Sequence, residues 1–178
     1  MREQSSSGVN MKTKTALSIR FLTRGALIAA LYVGLTYLSY AFGLDKGVVQ
    51  VRFSEALCVL AALTPAAVPG VTIGCFLSGL FTGAHPIDMV VGSLASLLGV
   101  LGCRMLKFLA HGKVGAFLVP LPNVLVNALV IPVVLALAYG ATEGYFFLFL
   151  SVGAGELISA GLLGGVLLCA VRKRMASF

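Results

Sequence analysis

Six polar side chains interrupt or border long apolar runs of this sequence, and their types suit the binding of a small polar molecule. They comprise one cation, three carboxylates and two carboxamides. Burying such groups in an apolar environment costs several kcal/mol unless something pairs with them, so each is a candidate functional residue. The six are Arg52, Glu55, Asp88, Asn123, Asn127 and Glu156.

Two of the six lie deep within their apolar runs. Glu156 follows Tyr145 by 11 residues, and Asn127 precedes Tyr139 by 12 residues. At the helical rise of about 1.5 Å per residue, these separations place the two side chains roughly 16 and 18 Å below the same end. A carboxylate and an amide are therefore expected at nearly the same level, close to the middle of the protein.

The remaining charged candidates lie at the outer ends of their runs. Arg52 and Glu55 are one helical turn apart, and Asp88 comes shortly after a proline. We expect them to line a pocket open to the outside and floored by Glu156 and Asn127. Structural alternatives stay open: Arg52 and Glu55 could form a plain ion pair, Asp88 could stabilise a helix N-terminus, and the asparagines could join neighbouring helices.

This set of groups suits a purine-like ring. A carboxylate can accept hydrogen bonds from a ring N–H and an exocyclic amine together, and a carboxamide can serve the opposite edge. Tyr37 and Tyr40 lie near the expected mouth and could stack on a flat ligand. The same groups could also bind an amine or another heterocycle, so these residues alone leave the ligand open.

The composition indicates whether these residues are surrounded by water or by a lipid membrane. Of 178 residues, 59% are hydrophobic and only 11% are charged, with a mean hydropathy of +1.03. A soluble domain carries roughly 25% charged residues, so a water-soluble protein is excluded. The 21 glycines and small-residue spacings such as Gly70/Gly74 favour close helix packing in lipid. An all-α, polytopic membrane bundle is predicted.

The apolar runs divide into six predicted transmembrane helices. The stretch 53–82 is the weak part, because its 30 residues make roughly 45 Å of helix, short for two crossings of about 30 Å. A single proline-kinked helix there would give five spans instead. The six predicted spans are 21–43, 52–63, 65–82, 87–109, 120–139 and 145–171.

The distribution of cations favours six spans with both termini in the cytoplasm. Cytoplasmic segments carry an excess of Lys and Arg in membrane proteins. Six spans leave two cations outside, Lys46 and Arg52, whereas a five-span chain would export a basic terminus. The eleven cytoplasmic cations are Arg2, Lys12, Lys14, Arg20, Arg24, Arg104, Lys107, Lys113, Arg172, Lys173 and Arg174.

The flanking segments and the missing motifs complete the prediction. Residues 1–19 form a polar basic cytoplasmic tail expected to be disordered, 20–172 form the transmembrane substrate-binding domain, and 173–178 form a short basic tail.

No Walker-type phosphate loop occurs, so the chain is not expected to be an enzyme or to hydrolyse ATP itself. The four cysteines show no metal or disulfide spacing, and we expect no cofactor or metal in this chain.

Five blocks in order resemble the queuosine-precursor transporter (QueT) family, over about residues 20–172. The resemblance is carried by Arg52–Leu60 (RFSEALCVL), Leu63–Cys75 (LTPAAVPGVTIGC), Asp88–Gly99 (DMVVGSLASLLG), Pro120–Ala128 (PLPNVLVNA) and Gly155–Ser159 (GELIS).

The resemblance implies a substrate-binding S component of an energy-coupling factor (ECF) transporter. Such a subunit binds a 7-deazaguanine (preQ1, preQ0 or queuine) from outside and docks on a coupling subunit and two cytoplasmic ATPases. Ala26 and Ala30 match the Ala-x-x-x-Ala motif by which S components contact the coupling subunit. The alternatives are an S component for another heterocyclic micronutrient or vitamin, a small intramembrane enzyme, and a structural membrane protein.

Overall fold

The computed structural model describes residues 3–44 and 50–175, and the described residues contain helices and no strand. The predicted all-α class is therefore confirmed for this part of the chain. With η denoting 3₁₀ helices, the elements are α1 (Glu3–Ala41), η1 (Phe53–Ala62), α2 (Ala67–Thr82), α3 (Pro86–Met105), η2 (Leu106–His111), α4 (Lys113–Leu118), α5 (Leu121–Tyr139), α6 (Tyr145–Glu156), a π-helical segment (Leu157–Leu163) and α7 (Gly164–Met175).

Four helical stretches are long and apolar enough to cross a membrane. The two shorter apolar helices, η1 and α2, occupy the stretch that the sequence marked as short. Ten residues of 3₁₀ helix rise about 20 Å and sixteen residues of α-helix about 24 Å, both less than a hydrocarbon core of about 30 Å. The four long stretches are Leu17–Ala41, Pro86–His111, Lys113–Tyr139 and Tyr145–Arg174.

Part of the segment predicted to be an N-terminal tail belongs to helix α1. Helix α1 begins at Glu3, so the backbone from Glu3 onward is helical where disorder was expected. This stretch contains no proline and continues into an apolar helix, whose existing turns remove the cost of nucleating a new one. Arg2, predicted to be cytoplasmic, and Lys46, predicted to be on the outer side, are not among the described residues.

Glycines bring the helices close together. A Cβ on Gly74 of α2 would lie 2.7 Å from the Cβ of Tyr32 on α1, and one on Gly99 of α3 would overlap the Asn123 side chain of α5. Close packing of this kind holds helices together in lipid, where the hydrophobic effect between them is absent. The glycines thus fix the separation of the helices that carry the polar side chains.

Helix η1 forms the centre of this packing. It contacts α1, α2, α3, α7 and the π-helical segment, and most of its side chains are buried, Cys58, Val59 and Ala61 completely. At its end, the Arg104 guanidinium donates to the carbonyl oxygens of Ala61 and Ala62 at 3.1 and 3.4 Å. Because helix ends leave carbonyls without partners, this side chain satisfies the C-terminus of η1.

Candidate functional site

A cavity of about 500 Å³ lies at the end of the bundle where α1, α2 and α5 terminate and α3 begins. Its volume falls within the range of about 300–1,000 Å³ typical of small-molecule pockets. Helix α1 contributes Tyr32, Thr36, Ser39 and Tyr40, which the helical period places on one face. The cavity therefore has a polar wall on α1, although the membrane-spanning part of that helix has a predominantly apolar sequence.

The loop before η1 forms part of the cavity wall and is tightly fixed. The Arg52 N–H donates to the Ser159 hydroxyl at 3.0 Å, and the Phe53 N–H donates to the Ser39 hydroxyl at 2.9 Å. A Cβ on Gly155 would overlap the carbonyl of Gln50, which also lines the cavity. Glycine at this position lets the loop lie directly against the end of α6.

Two opposite charges line the cavity. Tyr139 donates its hydroxyl proton to Asp88 Oδ2 at 2.9 Å and accepts from the His85 N–H at 3.1 Å. The Arg52 side chain also lines the cavity, but among the described residues its guanidinium makes no hydrogen bond and no ion pair with Asp88 or any other acid. The cavity thus combines a cation and an anion that do not neutralise one another by contact.

A second group of polar side chains is buried beside the cavity. Glu55 is 1% exposed and accepts hydrogen bonds from the Tyr32 hydroxyl and, at 2.8 Å, from Asn123 Nδ2. The same amide nitrogen lies 3.5 Å from Glu156 Oε2. Tyr32 both lines the cavity and bonds Glu55, so it connects the two regions. We call Glu55, Asn123, Asn127 and Glu156 the buried cluster.

The buried cluster is incompletely satisfied. Asn123 Oδ1 and Asn127 Nδ2 have no hydrogen-bond partner among the described residues. Asn127 lies close enough to interact with the Glu156 carboxylate, but not in hydrogen-bonding geometry. Gly99 leaves the space that the Asn123 side chain occupies, because an added Cβ would overlap Oδ1. The asparagines therefore join η1, α5 and α6 without using their full bonding capacity.

The structure separates the six predicted binding residues into two groups. Arg52 and Asp88 line the cavity, whereas the four members of the buried cluster are not among the described residues of its wall. Glu156 and Glu55 both contact the Asn123 amide, whereas the sequence placed Glu156 on the pocket floor with Asn127 and Glu55 at the outer end. Whether the six bind a substrate stays a prediction.

Sequence reasoning missed several cavity residues. Tyr32 was not among the candidate residues, yet it is 1% exposed and donates a hydrogen bond to Glu55. Tyr40 lines the cavity as expected, while Tyr37 is 57% exposed and lies outside its described wall. The available signal was the spacing of Tyr32, Thr36 and Ser39, which repeats at four and three residues along one helix face.

The two alanines predicted to contact a partner lie on the outside of the bundle. Ala26 and Ala30 are both exposed, one helical turn apart on α1. Helix α1 packs chiefly on α2 and η1, through a different face that carries Ile28, Ala29 and Tyr32. The alanine face of α1 is therefore uncovered in the isolated chain.

Comparison with known proteins decides the family. The model of the QueT transporter family matches residues 22–173. The chain belongs to the QueT transporter family. It is 39% identical over 80 residues to the queuosine precursor transporter QueT of Lactococcus lactis subsp. cremoris (strain MG1363), which covers 43% of this chain. The matched stretch spans about half of that relative, 47% of its length.

No solved structure matches the chain. QueT family membership and the four long apolar helices nevertheless make it a multi-pass membrane protein of a transporter family.

Proposed function

We propose that the chain is the substrate-specificity (S) component of an ECF-type importer, binding a queuosine precursor from outside and delivering it inward. Family membership supports the transporter role. The observation that carries the binding role is the cavity of about 500 Å³, whose wall contains hydrogen-bonded Asp88 and an Arg52 guanidinium that bonds no described residue. Such a concave site with a few polar groups is the usual form of a small-molecule pocket.

The walls of this cavity suit a 7-deazaguanine. The ring offers N–H donors, a carbonyl acceptor and two apolar faces. Ser39, Gln50 and Ser78 can exchange hydrogen bonds with its edges, while Met89 and Leu135 can contact its faces. Arg52, with five N–H donors, is placed to bind the carbonyl edge.

The buried cluster acts on the ligand indirectly in this proposal. The Glu55 carboxylate fixes the Tyr32 hydroxyl, and Asn123 fixes the carboxylate in turn. A tyrosine held in one rotamer loses less conformational freedom when a ligand packs against it. Glu55, Asn123, Asn127 and Glu156 would thus position one wall of the cavity.

Six crossings with both termini in the cytoplasm remain the proposed topology. It keeps eleven of the thirteen cations on the cytoplasmic side and puts the cavity on the outer side. Helix η1 would lie inside the bundle, surrounded by neighbouring helices rather than lipid, whereas α2 would turn exposed apolar side chains such as Leu80 and Phe81 to lipid. Labelling of single cysteines introduced at Ser6 and in the tail at Ser177, from either side of the membrane, tests the position of both termini.

The proposed partners are a transmembrane coupling subunit and two cytoplasmic ATPases, which would hydrolyse the ATP. The exposed Ala26/Ala30 face supports a helix-to-helix contact, because small residues allow close approach in lipid. Ala26→Trp should abolish co-purification with the coupling subunit. Leu31→Trp is the matched control. Leu31 is likewise exposed on α1, to 48%, but its side chain points about 100° away from that of Ala30 around the helix axis. Equal loss with both variants would contradict a specific docking face.

Binding to the isolated, detergent-purified chain tests the function most simply. We expect calorimetry and thermal-shift assays to show sub-micromolar binding of at least one of preQ1, preQ0 and queuine, and weaker binding of guanine. Lys107→Gln, a cation on the opposite side of the bundle, should leave that affinity unchanged. Absence of binding by all of these compounds would overturn the ligand assignment while leaving the fold intact.

A further inference from the structure

The arrangement of charge in the cavity points to one kind of ligand within the proposed class. Asp88 and Arg52 line the same cavity but form no ion pair, and the described wall contains no other charged side chain. An unpaired charge in a partly buried site is unfavourable, and a ligand group of opposite sign relieves that cost. A ligand that is cationic at one end and a hydrogen-bond acceptor at the other would satisfy both residues.

Asp88 is prepared to accept a cation. Tyr139 occupies its Oδ2 atom, while Oδ1 lies over Gly92, close enough that an added Cβ would be 3.3 Å away. Gly92 also lines the cavity, so Oδ1, which bonds no described residue, is beside a wall that carries no side chain. A carboxylate can accept several hydrogen bonds at once, so bonding to Tyr139 leaves capacity for an ammonium group.

Arg52 is fixed in place by backbone hydrogen bonds rather than by bonds of its side chain. The bonds from Arg52 N–H to Ser159 and from Phe53 N–H to Ser39 anchor the residue to α1 and the π-helical segment. The guanidinium itself bonds no described residue. The anchored backbone fixes the point from which the guanidinium enters the cavity, and a bound molecule there can supply its hydrogen-bond partner.

We propose that the cavity selects a 7-deazaguanine bearing an aminomethyl group, whose ammonium binds Asp88 and whose ring carbonyl binds Arg52, over the corresponding nitrile. This inference rests on the proposed function and adds the residue that sets specificity. The nitrile has the same ring and carbonyl but carries no cation, so it retains the Arg52 interaction and loses the one with Asp88. Hydrogen bonds between charged groups are roughly twice as strong as neutral ones.

Calorimetry on the detergent-purified full chain with both compounds tests the proposal. The aminomethyl compound should bind about 10- to 100-fold more tightly than the nitrile, as expected for one charge-assisted interaction. Asp88→Asn keeps an oxygen for the Tyr139 hydroxyl but removes the negative charge. It should lower the affinity for the aminomethyl compound to that of the nitrile, while leaving the nitrile affinity within about twofold.

Glu143→Gln is the matched control, because it removes one exposed acid from the loop at the same end of the bundle. It should change neither affinity. Equal binding of the two compounds to the unmodified chain would overturn the inference, as would an equal loss of both with Asp88→Asn. The comparison in the unmodified chain needs no variant, so it stands even if Asp88→Asn fails to fold. Failure of every 7-deazaguanine to bind would instead overturn the proposed function itself.

Discussion

The cavity and the buried cluster use similar polar groups in opposite ways. In the cluster, Glu55 receives hydrogen bonds from two side chains, and a single Asn123 amide lies between two carboxylates. In the cavity, Arg52 and Asp88 form no ion pair, and the Arg52 guanidinium bonds no described residue. The two regions meet at Tyr32. Both regions keep unused bonding capacity, but the cluster is packed between helices, whereas the charged groups of the cavity border open space that a ligand can enter.

The comparison also shows why depth in the membrane is an incomplete guide to function. The sequence places Glu156 deeper in the membrane than Asp88, yet the Glu156 carboxylate faces other side chains of the bundle. Asp88 lies in the first turn of α3 and faces the cavity. Buried polar groups are hydrogen-bonded in most proteins, so burial alone does not distinguish a structural group from a binding group.

The largest effect is expected from removing the amide that joins the two glutamates. Asn123→Ala leaves Glu55 without one of its donors in a buried site, and we expect a loss of about 3 kcal/mol in unfolding free energy. Asn127→Ala is the matched control, because Asn127 is on the same helix and nearly as buried but its Nδ2 donates no hydrogen bond to a described residue. It should cost about 1 kcal/mol.

Denaturant unfolding in detergent micelles measures both values. Equal losses for the two asparagine variants would contradict a stabilising role for the Asn123 bridge.

The next largest effect should appear in binding rather than in stability. Arg52→Gln removes the cation of the described cavity wall, and we expect about 10- to 100-fold weaker ligand binding with an unfolding free energy changed by less than about 0.5 kcal/mol. Calorimetry and unfolding on the same preparation check the two halves of this prediction. A stability loss comparable to that of Asn123→Ala would remove the distinction between the regions.

Tyr32→Phe addresses the one side chain that belongs to both regions. The change removes the hydroxyl that donates to Glu55 and leaves the ring in the cavity wall. We expect about 1 kcal/mol lower stability together with a severalfold weaker affinity, since both regions lose the same hydrogen bond. If stability falls while affinity stays at the unmodified value, the cluster does not position the cavity wall.

The smallest effect is expected from Glu156→Gln. The variant keeps the size of the side chain and an oxygen for Asn123, and in our proposal Glu156 does not touch the ligand. Affinity should therefore change by less than about threefold. A tenfold or larger loss, measured by the same calorimetry, would place Glu156 in contact with the ligand, as the sequence alone suggests.

Much of the fold could be predicted from the sequence, because apolar runs and turn residues mark helix ends directly. The ends at Thr82 and Tyr139 were predicted to the residue, each followed by a glycine in the left-handed conformation, Gly83 and Gly140. The 3₁₀ form of η1 could not be predicted, since the apolar pattern fixes helix content but not the hydrogen-bond spacing of a short buried helix.

The candidate site was only partly predictable for a related reason. The list of unusual polar residues did contain Arg52, Asp88 and the whole cluster. It could not say which of them face each other, because that depends on the packing of α1 against α2 through Gly70 and Gly74. Tyr32 escaped notice because a tyrosine in an apolar helix is common at membrane interfaces.

The central claim is that the ligand occupies the cavity, and Cys75 offers a direct test. Cys75 lines the cavity and is half-buried, while Cys169 is similarly half-buried on α7, away from it. The rate of maleimide labelling at each can be followed by peptide mass spectrometry. We predict that a bound 7-deazaguanine, at about ten times its Kd, slows labelling of Cys75 about tenfold and leaves Cys169 unchanged. An unchanged rate at Cys75 with ligand demonstrably bound would contradict the account.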